Sequence, residues 1–276
     1  MSFKFSITLS SFKDLEPLND TLKNLKKCQL GALEMYGEPG LVDVRQTLDL
    51  CQSYGLRICG ITGMWGASGY ESNRILLTSD KSTFDKTMEY IKSCIQMCNA
   101  LGGSIFNICI FNDNSYPEID ANHRVYPDYV KKRFLSKIVE KLRELSRFAG
   151  DYGVDLLIEP LNRYSTPFCS TATDALFLAN TVQEDNLGIL LDTFHMNIEE
   201  SSMTQTIEES RYLLKHMHIS DNNRKMPGLG HINFGEIINS LKRINFGGFL
   251  SFELYISSKD YQKDILYGID TLTKVR

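Results

Sequence analysis

The stretch LGILLDTFHMNIEE, residues 187–200, decides how the chain is read. Leu187 to Leu191 is a short, nearly all-apolar run of the length of a strand buried in a sheet. It stops in Asp192, with His195 three residues further on. An acid and an imidazole at the mouth of a buried strand put polar chemistry where a parallel α/β sheet keeps its ligand sites, at the C-terminal ends of its strands.

Outward from this stretch, seven more runs of the same kind punctuate the chain: Phe5 to Leu9, Leu30 to Met35, Arg57 to Thr62, Ser104 to Phe111, Val154 to Ile158, Lys215 to Ile219 and Gly248 to Phe252. Amphipathic segments separate them. Between Ser82 and Leu101 the apolar residues Phe84, Met88, Ile91, Ile95, Cys98 and Leu101 recur at helical spacing; Ser82 with Asp85 resembles a capping box, and Gly102-Gly103 supplies the stop. Tyr129 to Ala149 reads as a second long helix, with Phe134, Ile138, Leu142, Leu145 and Phe148 on one face. Eight strand and helix alternations predict a (β/α)8 barrel, a TIM barrel, whose usual length is about 250 residues. A doubly wound open sheet is the rival, but no Gly-rich phosphate loop follows the first strand. No linker or low-complexity segment interrupts the alternation, so residues 1–276 read as one domain.

Composition narrows the partners. Net charge is −4 across 276 residues and the Lys and Arg are scattered, which argues against nucleic acid and against an anionic membrane surface. The start, MSFKFSITLSSF, has no basic region followed by a sustained apolar run, and nowhere do 18 apolar residues occur together; a cytoplasmic protein is expected. The seven cysteines form an odd set without a CxxC pair. Cys94 and Cys98, one helical turn apart, are read as core packing rather than as a thiolate metal site.

Three further strand ends carry matching groups. Glu159 closes VDLLIE, His218 lies in KHMHIS and Glu253 closes GFLSFE; with Asp192 their separations are 33, 26 and 35 residues, each close to one strand–helix unit. In a barrel, strands five to eight therefore bring two Glu, one Asp and one His to the same mouth. A strand-end carboxylate by itself often caps a helix, but four such groups together repel one another unless a cation joins them. The oxygen-rich set suits Mn²⁺, Co²⁺ or Mg²⁺ better than a structural zinc ion. His195, on a strand-to-loop turn, reads as a second metal ligand or a neutral donor to substrate, and Arg224 and Trp65, the only tryptophan, are further candidate substrate contacts.

LDTFHMNIEE, with IEPLNRY, HMHISDNNR, PGLGHINF and FLSFEL, resembles the xylose-isomerase-like barrels of the sugar-phosphate isomerase/epimerase superfamily, most of all the D-tagatose/D-psicose (allulose) 3-epimerases. The resemblance is strong in the C-terminal half and a matter of pattern elsewhere. It implies a divalent metal, usually Mn²⁺ or Co²⁺, held by Glu159, Asp192, His218 and Glu253. It further implies that Glu159 and Glu253 form the acid/base pair and that His195 and Arg224 bond the sugar oxygens. The expected partner is a small ketose, and the expected assembly a homodimer or homotetramer. Epimerisation at C3 requires a proton to leave one face and return to the other, so two carboxylates are the least equipment, whereas aldose/ketose isomerisation can run on one. A hydroxypyruvate isomerase or an inosose dehydratase would keep much the same residues, and a non-catalytic sugar-binding barrel is the alternative of another class. An endonuclease IV-like role would need an Asp-x-His pair that Leu229-Gly230-His231 lacks. Two departures from the ketose epimerase pattern, Ser165 and Asp221 where Glu is usual, bear on substrate choice.

Overall fold

The computed structural model describes residues 3–12, 15–65, 74–113, 115–116 and 125–275. Its eight strands are β1 (Lys4–Thr8), β2 (Ala32–Tyr36), β3 (Arg57–Thr62), β4 (Ile105–Ile108), β5 (Asp155–Ile158), β6 (Leu187–Asp192), β7 (Leu214–Ile219) and β8 (Phe249–Phe252). Each pairs in parallel with the next, and β8 closes on β1. Among the described residues the helices are α1 (Leu18–Leu25), α2 (Val44–Ser53), α3 (Lys81–Ala100), α4 (Asp128–Leu135), α5 (Val139–Asp151), α6 (Ala172–Val182), α7 (Thr193–Glu199), α8 (Met203–Glu209), α9 (Phe234–Arg243) and α10 (Tyr261–Thr273). This is the (β/α)8 barrel, and all eight expected strands are in it.

The apolar core lies between the strands and the helical ring, where Ile91, Cys94, Ile95 and Cys98 of α3 are fully buried. Burial pushes the thiols of Cys94 and Cys98 up to about 12, so both sit there as small apolar groups. Strand periodicity turns alternate residues inward, and here several of those are polar: Glu34 on β2, Asn107 on β4, His216 and His218 on β7, and Ser251 on β8 are all buried. The barrel interior thus carries charge toward the end where β5 to β8 stop.

Three local readings change. Helix α3 starts one residue earlier than its apolar pattern suggests, because Asp80 accepts the Thr83 amide at 2.8 Å and acts as N-cap; Asp85 pairs with Lys81 instead of closing a box with Ser82. The Tyr129 to Ala149 helix is broken into α4 and α5 by a 3-10 turn at Ser136–Ile138, where the Ser136 hydroxyl bonds back to the Lys132 carbonyl at 2.7 Å. His195 stands on a helix, since Asp192 Oδ1 accepts the Phe194 amide at 2.8 Å and starts α7 directly from β6. None of the described helices is long and apolar enough to cross a membrane.

Candidate metal and sugar site

The barrel register does what the sequence spacing implies. Asp192 ends β6 opposite His218 on β7, His218 faces Ser251 on β8, and Glu159 and Glu253 follow β5 and β8 directly. One ligand atom from each of Glu159, Asp192, His218 and Glu253 lies within 4.8 Å of the others. His218 Nδ1 is 3.3 Å from Glu159 Oε1 and 3.6 Å from Glu253 Oε2. Only Glu253 keeps some exposure, 17% of its side chain, so it alone of the four faces solvent-accessible space.

The electrostatics of this cluster are those of a site short of positive charge. Burial, reinforced by Glu253 and Glu159 against the opposing Arg224, pushes the Asp192 carboxyl up to about 7. Burial alone would strip His218 of its proton, but the carboxylates of Glu253, Glu34 and Glu159 outweigh it and hold the imidazole well above its usual range. Against burial, Arg224 and His218 bring Glu253 down to about 2. Protons thus collect where carboxylates crowd. Three carboxylates, two of them fully buried, and one imidazole, all able to reach one point, are a donor set a hard divalent cation fits, and its charge would replace those protons.

Several groups holding the site escape sequence reading. Asn107 Nδ2 donates to Glu159 Oε2 at 2.6 Å while its Oδ1 accepts the Gly63 amide at 3.0 Å, which leaves Glu159 Oε1 for the cluster. Glu34 contacts both imidazoles of β7. Burial opposes its charge, yet His216 and His218 hold it well below the ordinary carboxylate range. A lone Asn in SIFNICIF and a lone Glu in GALEMYG look like any other strand residue; only closure of the barrel brings them to strands far away in sequence.

Beside the cluster opens a cavity of about 310 Å³ whose lining includes Trp65, Asn162, His195, Arg224 and Glu253. Asn162 gives its Oδ1 to the Tyr164 amide at 2.9 Å, so its Nδ2 donates to His195 Nδ1 at 2.7 Å. Burial and then Arg224 lower the His195 pKa to about 3, so the ring is neutral and its hydrogen sits on Nε2. Nε2 lies 3.2 Å from Arg224 Nη2, donor against donor, and 3.7 Å from Asp192 Oδ2, too long for a good bond. Arg224 Nε is buried without a hydrogen-bond partner. His195 and Arg224 both line the cavity, and a sugar oxygen is an acceptor of the kind their N–H groups need. Trp65 is half exposed at the rim, edge-on to Phe111 with centroids 5.0 Å apart.

Arg224 is held at backbone cost. Its φ of 57° is left-handed, and a non-glycine residue there is strained by roughly 1 kcal/mol or more. Its amide donates to the Asp221 carbonyl and its own carbonyl accepts the Tyr255 amide, both at 2.9 Å, while the guanidinium lies 4.3 Å over the Phe194 ring. Asp221 itself is turned away from the cavity. Its carboxylate accepts the amides of Asn222, Gly228, Gly230 and Ile232 at 2.9–3.1 Å, and a Cβ on Gly230 would meet Asp221 Oδ1 at 2.2 Å. The Asp221 departure therefore shapes the loop that carries Arg224, whereas Ser165 does line the cavity.

Arg224 Nη1 also lies 2.6 Å from Asp192 Oδ2 and 2.8 Å from Glu253 Oε2. Replacing it by Ala is expected to lower kcat/KM by about 100-fold, through lost positioning, without weakening Mn²⁺ binding, because the guanidinium competes for the same oxygens. Steady-state kinetics beside calorimetric titration check this; a parallel fall in metal affinity would place Arg224 in support of the cation instead.

The model of the xylose isomerase-like TIM barrel family matches residues 22–274. The chain belongs to this family. Among its relatives, an L-ribulose 3-epimerase of Methylomonas sp. (strain DH-1) is 29% identical over 220 residues, covering 80% of this chain and 72% of the relative. A D-psicose 3-epimerase of Agrobacterium fabrum is 37% identical over 120 residues, a match spanning 44% of this chain and 42% of that one. The crystal structure of D-psicose 3-epimerase with D-tagatose from Clostridium cellulolyticum H10 superposes with a TM-score of 0.83 at 22% identity, covering 99% of both chains, which establishes the shared fold.

Proposed function

We propose that the chain is a metal-dependent ketose 3-epimerase, an isomerase that interconverts the C3 epimers of a ketose. The observation that carries this is the meeting of two carboxylates from different strands, Glu159 and Glu253, in one cation-hungry cluster beside a cavity lined by His195 and Arg224. The relatives named as ribulose and psicose 3-epimerases support the same reading.

Glu159, Asp192, His218 and Glu253 would hold the divalent cation, Mn²⁺ most naturally and Co²⁺ or Mg²⁺ as alternatives. When bound, it would supply positive charge to the C2 oxygen of the substrate, which becomes negative as the C3 proton leaves. Glu253, at the cavity wall, takes or returns that proton on one face of C3. Glu159, with Oε2 held by Asn107, takes or returns it on the other. His195 Nε2 and the Arg224 guanidinium donate to sugar oxygens and fix the plane of the reacting carbons. Trp65 covers the apolar side of the sugar at the rim. The enzyme is read as a homodimer or homotetramer in the cytoplasm, with light scattering as the check on assembly.

A panel of ketoses incubated with Mn²⁺-loaded protein in D₂O is the test. Deuterium confined to C3 of a substrate and its epimer is the expected result. Label at C1 or C2 would make the chain an isomerase of the hydroxypyruvate isomerase kind; loss of water from a cyclic substrate would make it a lyase of the inosose dehydratase kind. Binding of a ketose without exchange would leave a sugar-binding barrel.

A further inference from the structure

Glu34 lies on β2, separated from β7 by β1 and β8, yet its carboxylate reaches through the barrel interior to both imidazoles of β7. Oε1 is 2.8 Å from His216 Nε2, and Oε2 is 3.2 Å from His218 Nε2 and accepts the Thr62 hydroxyl at 2.9 Å. The residue is 1% exposed, and an acid so deep persists only where its charge is met. Its position gives it a further consequence. The other nitrogen of His218, Nδ1, is the one turned to Glu159 and Glu253. To bind a cation from there Nδ1 must carry a lone pair, so the ring proton must sit on Nε2, and Glu34 is the group that accepts it.

We propose that Glu34 is a positioning residue of the metal centre: it fixes the tautomer and ring plane of His218 that present Nδ1 to the cation, and His216 anchors Glu34 through its second oxygen. A carboxylate behind a ligating imidazole also makes that imidazole a better donor. The trio Glu34, His216 and His218 is compact enough to suggest a second metal site. The contacts point the other way. Each imidazole takes its own oxygen at hydrogen-bond length, the Thr62 hydroxyl occupies Oε2 as well, and among the described residues no fourth His, Cys, Asp or Glu joins the group. One cation per chain follows.

This inference rests on His218 being a ligand, and the experiment separates the two. Metal-stripped wild-type and Glu34→Gln protein are titrated with Mn²⁺ by calorimetry, and the histidine tautomers of Mg²⁺-loaded wild type are read by long-range ¹⁵N–¹H correlation. Gln offers one acceptor oxygen, so its NH₂ must face one imidazole with a donor. Expected are one Mn²⁺ per wild-type chain, a protonated Nε2 on His218, and an affinity about 10- to 100-fold weaker in the variant. Wild type that binds no Mn²⁺ overturns the metal site itself. Wild type that binds while Glu34→Gln binds equally well overturns the role of Glu34 alone. A proton on Nδ1 of His218 overturns that role even where the variant does not fold, and two Mn²⁺ per chain would replace it with a second metal site.

Discussion

Replacing either Glu159 or Glu253 by Gln is expected to reduce C3 epimerisation by roughly 100- to 10,000-fold, the usual worth of a positioned acid or base. Gln keeps an oxygen for the cation but cannot take a proton. With Glu159→Gln, Glu253 remains, lining the cavity, and can still remove and return a proton on its own face of C3. One epimer should therefore exchange its C3 hydrogen with D₂O while its partner does not. Glu253→Gln should exchange the opposite epimer, through Glu159. This complementary pattern belongs to a two-base mechanism and is not produced by a single shared base. NMR of recovered sugar locates the deuterium, and a Mn²⁺ titration of each variant confirms that the cation is still held. A variant that epimerises near the wild-type rate, or one that labels both epimers, would remove that residue from the pair.

Stripping the metal should have an equally large effect. Chelation is expected to abolish turnover and Mn²⁺ or Co²⁺ to restore it, because without the cation the cluster answers its crowded carboxylates with protons on Asp192 and His218. Stability should follow. Metal at about 100 times its dissociation constant adds about 2.7 kcal/mol to the folded state. For a chain of this size that corresponds to a rise in Tm of roughly 5 °C. Asp192→Asn should lose most of that rise, since it removes a charge from a hard-cation site. Calorimetric scans with and without Mn²⁺ decide it; full activity in metal-free protein, or an unshifted Tm at saturating Mn²⁺, would contradict the assignment.

The sequence alone determined the barrel, because each buried strand is a short apolar run whose period and spacing are local properties. It also determined that Glu159, Asp192, His218 and Glu253 share one mouth, since each stands at a strand end and parallel strands end at the same side. Local competition between caps it resolved less well. Asp80 rather than Ser82 starts α3, and Asp192 turns the segment of His195 into α7, because side-chain acceptors one or two residues apart differ only in which reaches a free amide. Asn107 and Glu34 were decided by tertiary structure alone: each is a single inward residue on a strand, and its partners come from elements 52 and 184 positions away. The same holds for Asp221, which motif comparison places near the sugar but whose carboxylate is taken up by four loop amides. A residue type announces what chemistry is available; which neighbour receives it depends on closure of the barrel, where a charge buried far from water must find its partner across the interior.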